Sequence, residues 1–149
     1  MMIRLATEKD IPAVGKIAQQ NKKFVGFVMN VALAEAVKKG GLHVYTRDDE
    51  VIGFVHCHKR LDGWTTLHEI AVAKAYQGQG IGKQLLAVPP EPVRLKTTFD
   101  NTVAIALYEK YGFEMKRTEQ GKKRELLVFE KGSLDLELHP PKASRRKMK

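Results

Sequence analysis

Three stretches of this 149-residue chain carry residue types that do chemistry at spacings that would let them act together. The first is Gln77-Gly78-Gln79-Gly80-Ile81-Gly82-Lys83, a glycine-rich turn between an alternating apolar run and a helical pattern. Such a turn aims backbone N–H groups outward at a helix start, where the dipole adds about half a positive charge, so it suits an anion. Glycine also lets the backbone approach a phosphate closely. The loop does not fit a Walker A motif, because position 77 is Gln rather than Gly and Gln84 follows Lys83. It does not fit the dinucleotide fingerprint either, because its glycines fall at 78, 80 and 82. Taken alone it reads equally as an anion cradle or a mobile surface turn.

The second stretch is His68-Glu69, an imidazole beside a carboxylate. An imidazole of pKa ~6.5 suits general-base work. Neighbours on a strand face opposite sides, so His68 would share a face with Thr66, Ile70 and Val72 while Glu69 takes the other. A bulge would exchange those faces. Either residue also fits a strand position facing solvent. The third stretch, His56-Cys57-His58, puts two imidazoles on one strand face and invites a metal reading. A tight turn at Asp62-Gly63 would pair His68 with Cys57 and His56 with Glu69. No single face then collects three histidines, and no metal is expected.

The elements that must position these groups follow from periodicity. Met2 to Ala6 alternates as a short strand, and Asp10 caps a helix that tolerates Pro12 in its first turn. Ile11, Val14, Ile17 and Ala18 form that helix's buried stripe. Phe24 to Met29 is left open, and Val31 to Lys39 reads as a helix stopped by Gly40-Gly41. Leu42–Arg47, Val51–Lys59 and Thr65–Val72 read as three antiparallel strands. A helix from Ile81 to about Val88 follows the glycine turn and ends at Pro89, Pro90 and Pro92. Val93 to Thr98 is a strand. Ala104, Leu107, Tyr108 and Tyr111 share one helix face, with Asn101 or Thr102 as cap and Gly112 as stop. Phe113–Thr118 and Glu125–Phe129 are the last two strands, and Leu134, Leu136 and Leu138 alternate as a candidate edge.

Composition narrows the function classes. One cysteine, Cys57, excludes an intrachain disulfide and suits a reducing cytosol, so a cytoplasmic location is expected. No apolar run approaches the ~20 residues of a membrane span, and the N-terminus lacks the apolar region of a signal peptide. The chain carries a formal charge of +9. Lys142, Arg145, Arg146, Lys147 and Lys149 supply part of it from a segment, 140–149, without acids. Lys116, Arg117, Lys122, Lys123 and Arg124, against Glu119 alone, supply the rest. The protein is thus a neutral body with two basic patches, which suit anionic partners. Residues 140–149 read as a disordered tail.

Two blocks carry a family resemblance. Leu67 to Leu86 resembles the acyl-CoA loop of the GNAT superfamily of N-acetyltransferases, with Gln77, Gly80 and Gly82 meeting its Gln/Arg-x-x-Gly-x-Gly/Ala signature. Asn101 to Phe113, containing Leu107-Tyr108-Glu109, resembles the second family block. The resemblance implies a single α+β (mixed α/β) domain over 1–139. Its sheet would be mostly antiparallel, of about six or seven strands, flanked by about four helices. It implies acetyl-CoA as cosubstrate, with Gln77, Gly78, Gln79, Gly80, Ile81, Gly82 and Lys83 around the pyrophosphate. Ile70, Ala71 and Val72 would lie along pantetheine, with Asn101 and Tyr108 near the thioester. The proline-shortened helix puts the adenine and 3′-phosphate end of that site in question.

The same resemblance gives Tyr108 as general acid and Ile70 or Ala71 N–H as oxyanion donor. His68 takes the place of a catalytic histidine in a serotonin-acetylating member, and Glu69 a position often acidic in the family. Direct transfer in the family leaves no carrier role for Cys57. Without the resemblance, Tyr108 reads as a core residue. The implied activity is acetyl transfer to a primary amine: a protein N-terminus, a lysine, a small amine or an aminoacyl-RNA. The Lys116–Arg124 patch would border the acceptor groove and favour an acidic peptide or an RNA-borne amine, with further contact from the tail. The alternative is a non-catalytic acyl-CoA-binding or nucleic-acid-binding module. A monomer or a homodimer fits, and no membrane association is expected.

Overall fold

The alternating and helical periods of the sequence resolve into twelve elements in a computed structural model that describes residues 2–25 and 28–134. In chain order they are β1 (Met2–Leu5), α1 (Ile11–Gln20), α2 (Lys22–Val25), α3 (Asn30–Lys38), β2 (Leu42–Arg47) and β3 (Glu50–Lys59). Then follow β4 (Thr65–Val72), α4 (Ile81–Leu86), β5 (Val93–Thr97), α5 (Thr102–Lys110), β6 (Glu114–Gln120) and β7 (Glu125–Lys131). The strands form one seven-stranded sheet in the order β1-β2-β3-β4-β5-β7-β6. All neighbours run antiparallel except β4 and β5, which are parallel. This is the expected α+β domain, with five helices rather than four because α2 is a single separate turn. The residues from 135 onward, including most of the Leu134–Leu138 segment and the whole basic tail, lie outside the described residues.

Two cores sandwich the sheet. Val14, Ile17 and Ala18 of α1 and Leu33 and Ala36 of α3 bury one face against Leu42, Val44, Phe54 and Ala71. Ile81, Leu85 and Leu86 of α4 and Tyr108 of α5 bury the other against Tyr45, Ile52, Val55, Leu67, Leu95 and Phe129. Helix α4 stops at Leu86, two residues short of expectation, because the proline cluster cannot extend it. Asp10 stands at the start of α1 but its carboxylate makes no cap bond. It accepts instead from the Thr7 N–H at 2.8 Å and from Arg4 Nη1 and Nη2 at 2.8 and 3.0 Å. Asn101 precedes α5 likewise without capping it, and donates to Thr97 Oγ1 at 3.0 Å.

Register in the middle of the sheet decides the site. The turn after β3 is longer than a two-residue hairpin: Arg60 N–H donates to Trp64 O, and Gly63 takes a φ of 92°. The strands therefore start one residue out of the expected register, with Lys59 opposite Thr65 and Cys57 opposite Leu67. A bulge then restores it, with His56 opposite Glu69 and Val55 opposite Ile70. His68 is the additional residue. A bulge bends its strand and strengthens the local twist. Accordingly β4 pairs with β5 only over Thr65–Leu67, and the two strands then part. Among the described residues, no strand pairs with the outer edge of β4 from His68 to Val72.

Candidate functional site

The gap between β4 and β5 leads to the glycine turn. Gly78 and Gly80 adopt φ of 81° and 83°, the left-handed region that side chains other than glycine's adopt at a cost. A Cβ at either would meet nothing within 4 Å, so the backbone conformation and not crowding asks for glycine. Gly80 immediately precedes α4, and the first helical N–H groups have no partner inside the helix. Gly82 serves packing: a Cβ there would stand 3.4 Å from Leu107 Cδ2 on α5. Lys83 extends over the Tyr111 ring at 5.3 Å, so an aromatic face also stabilises this cation at the helix start.

Side chains from distant elements brace the turn. Gln77 Nε2 donates to Val72 O at 3.0 Å and to Asn21 Oδ1 at 3.3 Å. Gln20 Oε1 accepts from the Lys74 N–H at 3.0 Å. Arg47 Nη1 donates to Gln79 Oε1 at 3.0 Å and lies over the Tyr76 ring. Asn21, Gln20 and Arg47 escape sequence reasoning, since polar residues at element ends carry no distinguishing signal.

The bulge rearranges the histidines. Leu67, Ile70 and Val72 all point into the core under α4 and α5, whereas Ala71 joins the core under α1 and α3. Alternation is thus broken between 67 and 70. His68 does not share a face with Ile70 and Val72, and Glu69 does not oppose it. Both lie with His56 and His58 on the α1/α3 face. His56 Nδ1 sits 3.0 Å from Glu69 Oε1. The His68 ring centroid is 4.8 Å from that of His56 and 6.5 Å from that of His58. Three histidines therefore do meet on one face, because the turn is longer than the two residues assumed. Among the described residues, no three His, Cys, Asp or Glu side chains are arranged to hold a metal ion.

The electrostatics of the cluster favour a neutral His68. Its outer edge is exposed, but the protein packed around the ring lowers its pKa, and His56, His58 and Arg60 add to that while Glu69 opposes it. Cys57 is buried and its thiol pKa is raised, which keeps it in the weakly nucleophilic thiol form. Tyr108 is 5 % exposed and packs against Phe113 and Phe129. Burial pushes its phenol up to about 12. Tyr108 is thus a core residue, and it holds its proton throughout the neutral range.

A groove of about 490 Å³ opens on the His68 face, lined by His58, Arg60, Thr66, His68, Arg94, Lys96, Arg117 and Glu119 among others. The basic 116–124 patch divides around it. Arg117 reaches Glu119 at 3.2 Å and Glu130 at 3.4 Å, and Lys96 reaches Glu119 at 2.8 Å. Arg94 is held by Glu130 at 2.7 Å and stacks 4.4 Å over Trp64. Lys116 pairs with Glu114, and Arg124 with Asp100. The groove rim is a lattice of both signs, less basic than its sequence suggests.

Comparison with known proteins bears on this geometry. The family model for the acetyltransferase (GNAT) domain matches residues 38–115. A [ribosomal protein bS18]-alanine N-acetyltransferase of Haemophilus ducreyi is 35% identical over 77 residues, covering 46% of this chain and 52% of the relative. The chain thus spans about half the length of that relative. A 5-NmdU N-acetyltransferase of Pseudomonas phage PaMx11 is 32% identical over 111 residues, covering 70% of this chain and 79% of the relative. In three dimensions, Ard1 from Thermoplasma volcanium superposes with a TM-score of 0.79 at 23% identity, over 90% of this chain and 98% of that one. Structures of the same fold have been solved with coenzyme A and with a CoA-Ac-MVNAL bisubstrate analogue. Among the described residues, no helix is long and apolar enough to cross a membrane.

Proposed function

Because the chain belongs to the GNAT acetyltransferase family, we propose that it moves an acetyl group from acetyl-CoA directly to a primary amine. The observation that carries this reading is the outer edge of β4 from His68 to Val72, which no strand pairs among the described residues and which a single 3-10 turn, Lys74–Tyr76, links to the glycine turn. An extended ligand with amide groups can pair with such an edge as an added strand. Pantetheine would lie along Ile70, Ala71 and Val72, and the pyrophosphate would take the N–H groups of Gln77 to Lys83.

The thioester then falls at the bulge. There the amine nitrogen attacks the thioester carbon, and the outward-facing N–H of Ile70 stabilises the oxyanion; the ladder bond from Ala73 N–H to Ile52 O turns the Ala71 N–H toward β3 as well. His68 takes the amine proton, the C–S bond breaks, and Tyr108 supplies a proton to the departing sulfur. Glu69 belongs to the same basic group, and Asn101 stands by the thioester end. Burial pushes the phenol up to about 12, which keeps that proton on Tyr108 until negative charge develops on the sulfur.

The acceptor enters by the groove on the His68 face. A peptide α-amine fits best, because its pKa of ~7.7–8.0 lies close to that of an imidazole base. The names of the two relatives, acting on a ribosomal-protein alanine and on 5-NmdU, frame the choice. Contact with an acidic peptide or RNA through Lys116–Arg124 and the tail is secondary in this reading. The test is an acceptor panel with acetyl-CoA, including peptides, ribosomal extracts, nucleosides and small amines, with free thiol as readout. Thiol release that follows the amine supports transfer. Binding of acetyl-CoA without release supports a non-catalytic module.

A further inference from the structure

We propose that His56, clamped by Glu69, is a positioning residue that seats the His68 ring for deprotonation of the acceptor amine. The inference rests on the reading of His68 as base, and adds to it a residue from the neighbouring strand. As the additional residue of a bulge, His68 has no direct partner across the ladder. Its ring is exposed, so the backbone alone leaves it several rotamers. The neighbouring ring at 4.8 Å, tilted by 32°, restricts that choice.

His56 is itself fixed. Its Nδ1–H donates to Glu69 Oε1 at 3.0 Å, and both side chains are only 20 % exposed. Gly41 lies beside the ring, where an added Cβ would stand 3.7 Å from His56 Cδ2. The charged and titratable groups around the pair are Glu69 from β4, Cys57, His58 and Lys59 from β3, Arg60 just after it, His43 from β2, and Glu35 and Lys39 from α3. Across the groove from His68 stand Arg94 and Lys96 from β5 and Arg117 and Glu119 from β6. Most of those facing His68 are cationic or can become so. A positive charge at His68 is disfavoured there, and the ring favours its free-base form. The chain thereby orients its base and keeps it unprotonated with one strand neighbour.

The test pairs an NMR titration of His68, which needs no acceptor, with kinetics on a peptide bearing a free N-terminal alanine. His56→Phe keeps an aromatic ring and removes the imidazole nitrogens; His56→Ala removes both. In His56→Phe the His68 pKa should rise by about half a unit, and the acid limb of kcat/KM should move to higher pH with it. In His56→Ala, kcat should fall about tenfold with KM for acetyl-CoA within about twofold, and His56→Phe should recover most of that loss at pH 8. An unmoved His68 titration in His56→Phe overturns the proposal. So does a His56→Ala enzyme with the wild-type rate, or a His56→Phe enzyme as slow as His56→Ala. His68→Ala separates the layers. If it keeps the wild-type rate, the base reading falls and takes the proposal with it. If it is slow while His56→Ala is not, only the role of His56 falls.

Discussion

Gln77 turns its side-chain amide back onto the carbonyl of Val72, 3.0 Å away, closing the glycine turn onto the strand that leads into it. This bond ties the strand edge that would hold pantetheine directly to the loop that would hold pyrophosphate, beside the braces from Asn21, Gln20 and Arg47. A neutral hydrogen bond contributes about 1 kcal/mol. Gln77→Ala should therefore raise KM for acetyl-CoA about fivefold with kcat little changed. Steady-state kinetics against acetyl-CoA check this, and a fall in kcat at unchanged KM would reject the bracing role.

Gly80 makes a separate demand. A side chain in its left-handed conformation costs about 1–2 kcal/mol. Gly80→Ala should lower the unfolding free energy by that amount or distort the turn, and in either case weaken acetyl-CoA binding. Calorimetric titration with coenzyme A, together with a thermal melt, reads both. Wild-type affinity would show that the turn does not hold the cofactor.

Tyr108 packs in the core and carries the proposed acid role, and substitution separates the two. Tyr108→Phe keeps the ring between Phe113 and Phe129. The variant should bind acetyl-CoA normally and lose more than tenfold in kcat, within the ~10²–10⁴-fold range of general acid catalysis. Because burial pushes the phenol up to about 12, the wild-type rate should show no alkaline fall from Tyr108 below about pH 10. An unchanged kcat in Tyr108→Phe would remove the residue from the mechanism.

The pH profile tests the base. The proposed base, His68, would act when neutral, and burial lowers its pKa from the ordinary histidine value. Activity should rise with pH through a midpoint below ~6.5 and then level off. His68→Gln should remove that limb. A limb that persists in the variant would belong to another group.

Much of this arrangement was legible in the sequence, and the exceptions have one cause. Helix periods and the β2–β4 strands stood out because apolar spacing is a local property. The glycine turn stood out because its residue types are unusual. The histidine cluster did not. Its formation depends on whether the turn after Lys59 holds two residues or three, and on where the strand absorbs the difference. A shift of one residue exchanges every face, and nothing in Thr65 to Val72 marks His68 as the bulged position. The capping expectations at Asp10 and Asn101 failed similarly, because the competing partners, Arg4 and Thr97, come from neighbouring strands.

Asp10 supplies a stability test independent of function. Its hydrogen bond with Arg4 holds the carboxyl below the usual range. A depressed folded pKa means stability that is present above the unfolded value of ~3.9 and lost as pH falls through the folded one. Asp10→Asn should lower the Tm at neutral pH, and the gap to wild type should shrink below pH ~4. A gap that stays constant with pH would place the effect in packing and not in charge.

The central claim is direct acetyl transfer at the β4 edge, and the most direct measurement is coenzyme A release in the presence and absence of an amine. With acetyl-CoA and a peptide carrying a free N-terminal alanine, or another amine selected from the panel, free thiol should appear at a rate that rises with amine concentration. Mass spectrometry should find one acetyl group added to the acceptor for each thiol released. Thiol release indifferent to every amine, or none at all despite binding of acetyl-CoA, would contradict the account.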